Sequence, residues 1–202
     1  MKPNKVIGRL VSKYGSLIWT KYQIPSAHLG EGQIKAIILG ADPTHIVDGR
    51  PIQMTSVFEI RDEKSPYWRG INRNLHCING LTKSNVFVQN VCRNYFTKET
   101  SKNNKWLEIA REFWIPFLSE ELNSRFSENI PILMTTEFIL KAALIDSKIR
   151  MDAFSIYSEC KSFPKEENLF NRELFAFYRH PNYSLIKWDV YRNFISTRLY
   201  MH

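Results

Sequence analysis

The stretch Ile34-Lys-Ala-Ile-Ile-Leu39, followed at once by Gly40-Ala-Asp-Pro-Thr-His45, decides how the rest of the chain is read. The first half is apolar, rich in β-branched residues, too short for a helix and closed by a glycine. That is the pattern of a strand buried on both faces. The second half is a turn carrying an acid and a histidine. Three more runs have the same character: Val86-Phe-Val-Gln-Asn90, Ile130-Pro-Ile-Leu-Met134 and Leu174-Phe-Ala-Phe-Tyr178.

Helical patterns fill the intervals. Val6, Ile7, Leu10, Val11, Tyr14, Leu17 and Ile18 recur at three- and four-residue steps, which predicts an N-terminal helix with one apolar stripe. Further helices are expected over 66–79, over 103–125 with a kink at Pro116, over 136–145 capped by Thr135 or Thr136, and over 186–199. Residues 146–172 read as a small hairpin or a loop. Strands alternating with helices imply right-handed crossovers and an α/β fold. The expected form is a three-layer sandwich around a four-stranded, mostly parallel sheet, in one domain covering residues 1–202.

Composition narrows the class. Of 202 residues, 44% are hydrophobic and 24% charged, as in an ordinary globular chain. No apolar run approaches the ~18 residues of a membrane span, and no apolar core of a signal peptide follows the basic first ten residues. A cytoplasmic protein without membrane association is expected. Cys77, Cys92 and Cys160 are odd in number and share no C-x-x-C spacing, so reduced thiols are expected rather than a disulfide framework or a four-thiolate metal site. The formal charge of +8 and 13% aromatic content suit a nucleic-acid partner, because cations neutralise phosphates and flat rings stack on bases. Solubility charge over an aromatic core is an equal alternative at this point. Residues 1–24, 61–105 and 171–202 are basic whereas 106–130 are acidic, which predicts a basic face opposite an acidic one.

In a parallel sheet, ligands bind beyond the carboxyl ends of the strands. The residues following the four strands therefore converge: Asp42 and His45, then Asn90, then Thr135-Thr136-Glu137, then Arg179-His-Pro-Asn-Tyr-Ser-Leu185. An acid, an amide and two histidines on one edge make a candidate catalytic pocket.

These segments resemble the uracil-DNA glycosylase superfamily. Its main branch carries a Gly-Gln-Asp-Pro-Tyr-His motif after the first strand, a Phe in the next segment, an Asn ending a hydrophobic strand and a His-Pro-Ser loop after the last strand. Here Gly40-Ala-Asp-Pro-Thr-His45, Phe58, Asn90 and His180-Pro181-Asn182 follow in that order. The likeness of elements spans roughly residues 34–198, and its specific part is about a dozen residues. It implies a DNA repair enzyme that hydrolyses the bond between deoxyribose and uracil, or a related damaged base, flipped out of DNA. Asp42 would stabilise the cationic sugar and orient the attacking water, and His180 would donate to the base oxygen as charge develops there. Asn90 would pair with the uracil edge and Phe58 would stack on the base, with Gly40, Ala41, Thr44 and His45 lining the pocket. Arg179, Ser184, Lys187 and Arg192 would grip phosphates, and Tyr183 or Leu185 would fill the space left by the base. A monomer is implied. No cofactor or metal is expected, since three scattered cysteines cannot supply the four ligands of the iron–sulfur cluster found in some branches.

Each residue also has a bland reading. Gly-x-Asp-Pro ends strands in many folds, an Asn at a strand end caps a turn, a Phe is commonly core, and His-Pro marks a loop. Thr44 stands where the family has a Tyr whose bulk excludes thymine, Ala41 replaces the Gln, and the leucine of the last loop is shifted by one position. A DNA-binding protein of the same fold that has lost turnover, or an α/β enzyme acting on a free nucleotide, are the alternatives.

Overall fold

The computed structural model describes residues 3–146, 148, 149, 152–178 and 187–200. The four predicted runs become strands β3 (Ala36–Gly40), β6 (Val86–Asn90), β8 (Ile132–Met134) and β9 (Leu174–Ala176), every residue of them buried. All four are parallel. β3 pairs with β6 from Ala36↔Val86 to Gly40↔Asn90 on one side and with β8 from Ile37↔Ile132 to Leu39↔Met134 on the other, and β9 lies outside β8.

The sheet has five strands rather than four. His28–Leu29 (β2) pairs antiparallel with β6, giving the order β2-β6-β3-β8-β9 in a mixed α/β fold with a mostly parallel sheet. Two residues with one apolar member carry too little pattern to be read as a strand; the edge of β6 recruits them. Two small ribbons complete the β structure: β1 (Ile18–Trp19) with β7 (Tyr95–Phe96), and β4 (Ile46–Val47) with β5 (Arg50–Pro51).

Helix α1 (Pro3–Tyr14) is shorter than its apolar period. Gly15 follows, a tight turn covers Gly15–Leu17, and Ile18 enters β1 instead. Pairing with β7 overrides the local pattern. Helix α2 (Pro66–Leu75) begins with Pro66 in its first turn, where a missing N–H is harmless, and the Ser65 hydroxyl accepts from the Tyr67 amide at 3.3 Å. The predicted kink in 103–125 is a π-helical turn, Ala110–Trp114, between α3 (Trp106–Ile109) and α4 (Ile115–Arg125). It lies just before Pro116 because the proline ring displaces the carbonyl four residues back and offers no N–H to replace the bond. Thr136 caps α5 (Glu137–Ala143) through the Ile139 amide. The stretch expected to be a hairpin or loop instead contains α6 (Ala153–Ser158), capped by Asp152, whose carboxylate accepts from the Ser155 amide at 3.0 Å. Helix α7 (Trp188–Tyr200) ends the described chain. No helix among the described residues is long and apolar enough to cross a membrane.

One buried cation ties the sheet to α4. Arg172, 0% exposed, donates to the carbonyls of Leu122, Phe126, Ser127 and Ile130 and to Asn123 Oδ1. It thereby gathers the carbonyls around the C-terminus of α4, adding a second donor at Leu122 and Ser127, which already accept the Phe126 and Ile130 amides.

Two ion pairs join the expected basic and acidic faces. Lys13 of the basic N-terminal stretch pairs with Glu112 at 2.7 Å, and Arg93 pairs with Glu121. The acidic helix packs against two of the basic stretches, so opposite charges are brought together and part of the positive charge is neutralised locally.

Candidate active site at the switch point of the sheet

From β3 the chain crosses to β6 on one side, and from β6 it passes back over β3 to β8. The switch point in strand order therefore lies between the carboxyl ends of β3 and β8, where such sheets bind ligands. A cavity of about 350 Å³ opens there. Ala41, Asp42, Thr44, His45 and Phe58 line it from the β3 side, Thr135, Thr136 and Phe138 from the β8 side, and Glu99, Thr100 and Ser101 from the segment after β7.

The Asp42 carboxylate is held from three directions. Oδ1 accepts the Thr44 amide at 2.8 Å, and Oδ2 accepts both Trp106 Nε1 at 2.8 Å and the Thr100 hydroxyl. Burial pushes its carboxyl above the ordinary 3.8, while the donors from Thr100, Thr44 and Trp106 offset part of the rise. Beside it, burial and the Asp42 charge push the Cys92 thiol well up, leaving it protonated and unreactive.

Gly40 explains its own identity. A Cβ there would come within 2.3 Å of Asn90 Oδ1 and 2.3 Å of Phe58 Cζ, so only glycine lets the carboxamide and the ring meet over the end of β3. Asn90 is 3% exposed, and its Oδ1 is buried with no hydrogen-bond partner among the described residues. A buried acceptor left unpaired costs about 1–3 kcal/mol and asks for an explanation such as a ligand donor. Asn90 does not itself line the open cavity, which Phe58 does. The backbone presenting Phe58 is strained: Phe58 and Glu59 have φ of 53° and 49°. The Glu59 carboxylate holds this turn by accepting from the Thr55 amide at 2.7 Å and the Thr55 hydroxyl at 3.2 Å, and Ser65 Oγ donates to the Phe58 carbonyl at 3.3 Å. Strain of this kind persists where the surroundings over-determine it.

The Thr44 hydroxyl accepts from the Phe96 amide at 2.9 Å, and the Thr44 side chain also bonds the Asp42 carboxylate. Ala41 acts through its backbone, its carbonyl accepting from the Cys92 amide at 2.9 Å. His45 packs edge-on against Tyr67, ring centroids 5.5 Å apart, with Nδ1 3.7 Å from Glu99 Oε1. Among the described residues, no three His, Cys, Asp or Glu side chains stand together as a metal site.

The structure thus brings together Gly40, Ala41, Asp42, Thr44, His45, Phe58 and Asn90. Arg179, His180, Tyr183, Ser184 and Leu185 lie outside the described residues. Lys187 is exposed at the start of α7, and Arg192, on the first turns of that helix, has Nε 3.0 Å from Asp189 Oδ1. Neither lines the cavity. Sequence reasoning missed Glu99, Thr100, Ser101, Trp106 and Phe138 as site residues. The polar run Lys98–Asn104 after a strand was a signal for the first three. Nothing local marked Trp106. Compared with known proteins, the chain matches no family model, and no curated protein matches it.

Proposed function

We propose that this chain is a DNA glycosylase of the uracil-DNA glycosylase type, built as a three-layer α/β sandwich, that removes uracil or a related damaged base from DNA by hydrolysis. The observation that carries the reading is the meeting of Phe58 with the unpaired Asn90 carboxamide over Gly40, beside a fixed carboxylate on Asp42. A flat ring and a buried amide suit a planar base with alternating donors and acceptors, since an unpaired Asn acceptor gains a partner from the N3–H of uracil.

In the reaction, the bond between C1′ and the base nitrogen breaks and its electron pair leaves with the base. The oxygen of a water molecule bonds to C1′, and the water's proton passes by way of Asp42 to solvent. Positive charge on the sugar is greatest when the bond is nearly broken, and a carboxylate already fixed in place stabilises that charge without reorganising. The described lining contains two carboxylates, Asp42 and Glu99, and no Lys or Arg. Such a lining favours an uncharged base and a cationic sugar over a free nucleotide's phosphates. His180, carried by the resemblance, is the donor proposed for the base oxygen. The partner is DNA, single- or double-stranded, and the enzyme acts as a monomer.

The test is alkali-labile strand breaks in a uracil-containing single-stranded oligonucleotide incubated with wild type and with Asp42→Asn. Breaks with wild type alone support the proposal; equal, background breaks with both, on single strands and on U:A and U:G duplexes, overturn it. The ion pairs that occupy Lys13 and Arg93 favour the second reading, an enzyme of small molecules. DNA affinity falling steeply with salt argues for the first reading, and no binding at low salt for the second.

A further inference from the structure

Asp42 Oδ2 receives two donors and Oδ1 receives one. A carboxylate has about four lone-pair positions, two on each oxygen. Those of Oδ2 are filled by Thr100 and Trp106, so an incoming group meets the carboxylate at Oδ1, on the side of Thr44, whose amide bonds Oδ1 and whose side chain also bonds the carboxylate. Both donors to Oδ2 come from far along the chain, 58 and 64 residues away, on the stretch joining β7 to α3. Thr100 opens a short turn, Thr100–Lys102, and Trp106 begins α3 with its amide bonded to the Asn103 carbonyl at 3.1 Å. The Asn103 side chain in turn accepts the Lys105 amide at 3.1 Å, so the segment is braced before it reaches Asp42. Trp106 is completely buried, whereas Thr100 also lines the cavity.

We propose that Thr100 and Trp106 are positioning residues that saturate Oδ2 of Asp42 and leave Oδ1 as the oxygen that meets the reacting water and sugar. This rests on the glycosylase reading for its substrate, but not for its geometry. Two donors on one oxygen stop the carboxylate from rotating and hold its negative charge at a half-buried place on the cavity wall where solvent would otherwise be needed. The titratable groups facing this site include Cys92, His45 and Glu99, with Lys102 3.8 Å from Glu99 on the same turn as Thr100. Cys92 is held protonated, and His45 and Glu99 are half-exposed and make no hydrogen bond to Asp42.

The experiment compares Thr100→Val, Thr100→Ser and Trp106→Phe with wild type as full-length proteins. Asp42 is titrated by carboxyl-carbon NMR, its signal assigned by its loss in Asp42→Asn, and base release is measured across pH. Removing a donor to the ionised form raises its pKa, so Thr100→Val and Trp106→Phe are expected to titrate at higher pH. A charge-assisted bond of ~1.5 kcal/mol corresponds to a midpoint raised by about one pH unit and to a loss of activity that grows towards about tenfold as pH falls below the wild-type midpoint and vanishes well above it. Thr100→Ser keeps the hydroxyl and is expected to behave as wild type. Unmoved titration midpoints in Thr100→Val and Trp106→Phe, or losses equal at every pH, overturn the proposal. If the midpoints move but wild type releases no base, the positioning stands and the glycosylase reading falls.

Discussion

A Cβ on Gly40 would stand 2.3 Å from Cζ of Phe58, so the Phe58 ring rests directly on the backbone at the end of β3. Asn90 Oδ1, at the same distance from that point, closes the other side. Three residues from separate segments therefore share one space that a methyl group would fill. Neither the β3 backbone, paired on both sides, nor a Phe58 turn braced by Glu59 has room to retreat. Gly40→Ala is expected to destabilise the protein by about 1–3 kcal/mol, the usual range for overpacking a filled core. Urea unfolding measures it, and a change within about 0.3 kcal/mol would mean that the ring is free to move aside.

Asn90 separates function from stability. Its Oδ1 makes no hydrogen bond among the described residues, so truncation sacrifices packing but no bond at that atom. Asn90→Ala is expected to change stability by less than about 2 kcal/mol while lowering base release by about 100-fold or more, as for other buried groups that recognise a substrate edge. A large stability loss with activity retained by the folded fraction would make Asn90 a structural residue only.

Asp42 has a pH signature of definite sign. Burial raises its carboxyl pKa in the folded state above the ordinary 3.8. The folded protein then binds the proton more tightly than the unfolded chain does. The stabilisation is complete below about 3.8, and it is lost as pH rises through the folded value. On the proposed glycosylase function, activity runs the opposite way, since that reaction needs the ionised form. Asp42→Asn is expected to lower base release by about 100-fold or more. It is also expected to remove this component of the pH dependence of unfolding, so that wild type loses stability relative to the variant as pH rises from acid. Parallel stability curves for the two proteins would contradict the sign assigned here.

Arg172 carries no substrate role and a large structural one. It serves four carbonyls and one side-chain oxygen from full burial, and desolvation lowers its pKa. Arg172→Leu would remove all five of these bonds, leaving Leu122 and Ser127 with only their backbone donors, and a loss of about 3 kcal/mol or more is expected in thermal or urea unfolding. Arg172→Lys is expected to recover little, because a single ammonium with three donors cannot reach as many acceptors as the planar fork.

Much of the scaffold was legible without coordinates. Each parallel strand is a short apolar run whose buried character depends on its own residues, and each ends in a polar turn, so the β3, β6, β8 and β9 runs and the turn holding Asp42 could be read locally. A parallel sheet also implied that these turns share an edge, which is how Asp42 and Asn90 were singled out, whereas Phe58 came only from the family resemblance. The limits of α1 and the helix in 146–172 were not legible, because pairing of Ile18 with Phe96 and capping by Asp152 outweighed weak local patterns.

What the sequence by itself determined is therefore the alternation of strands and helices and the chemistry at the strand ends, both properties of neighbouring residues. Only the tertiary structure decided that β2 joins the sheet, that basic segments lie against the acidic helix, and that Thr100 and Trp106 close on Asp42. Those relations span tens of residues and depend on the strand order and the path between strands. No periodicity encodes them, because they arise where separate segments compete for the same buried space and the same hydrogen-bond acceptors.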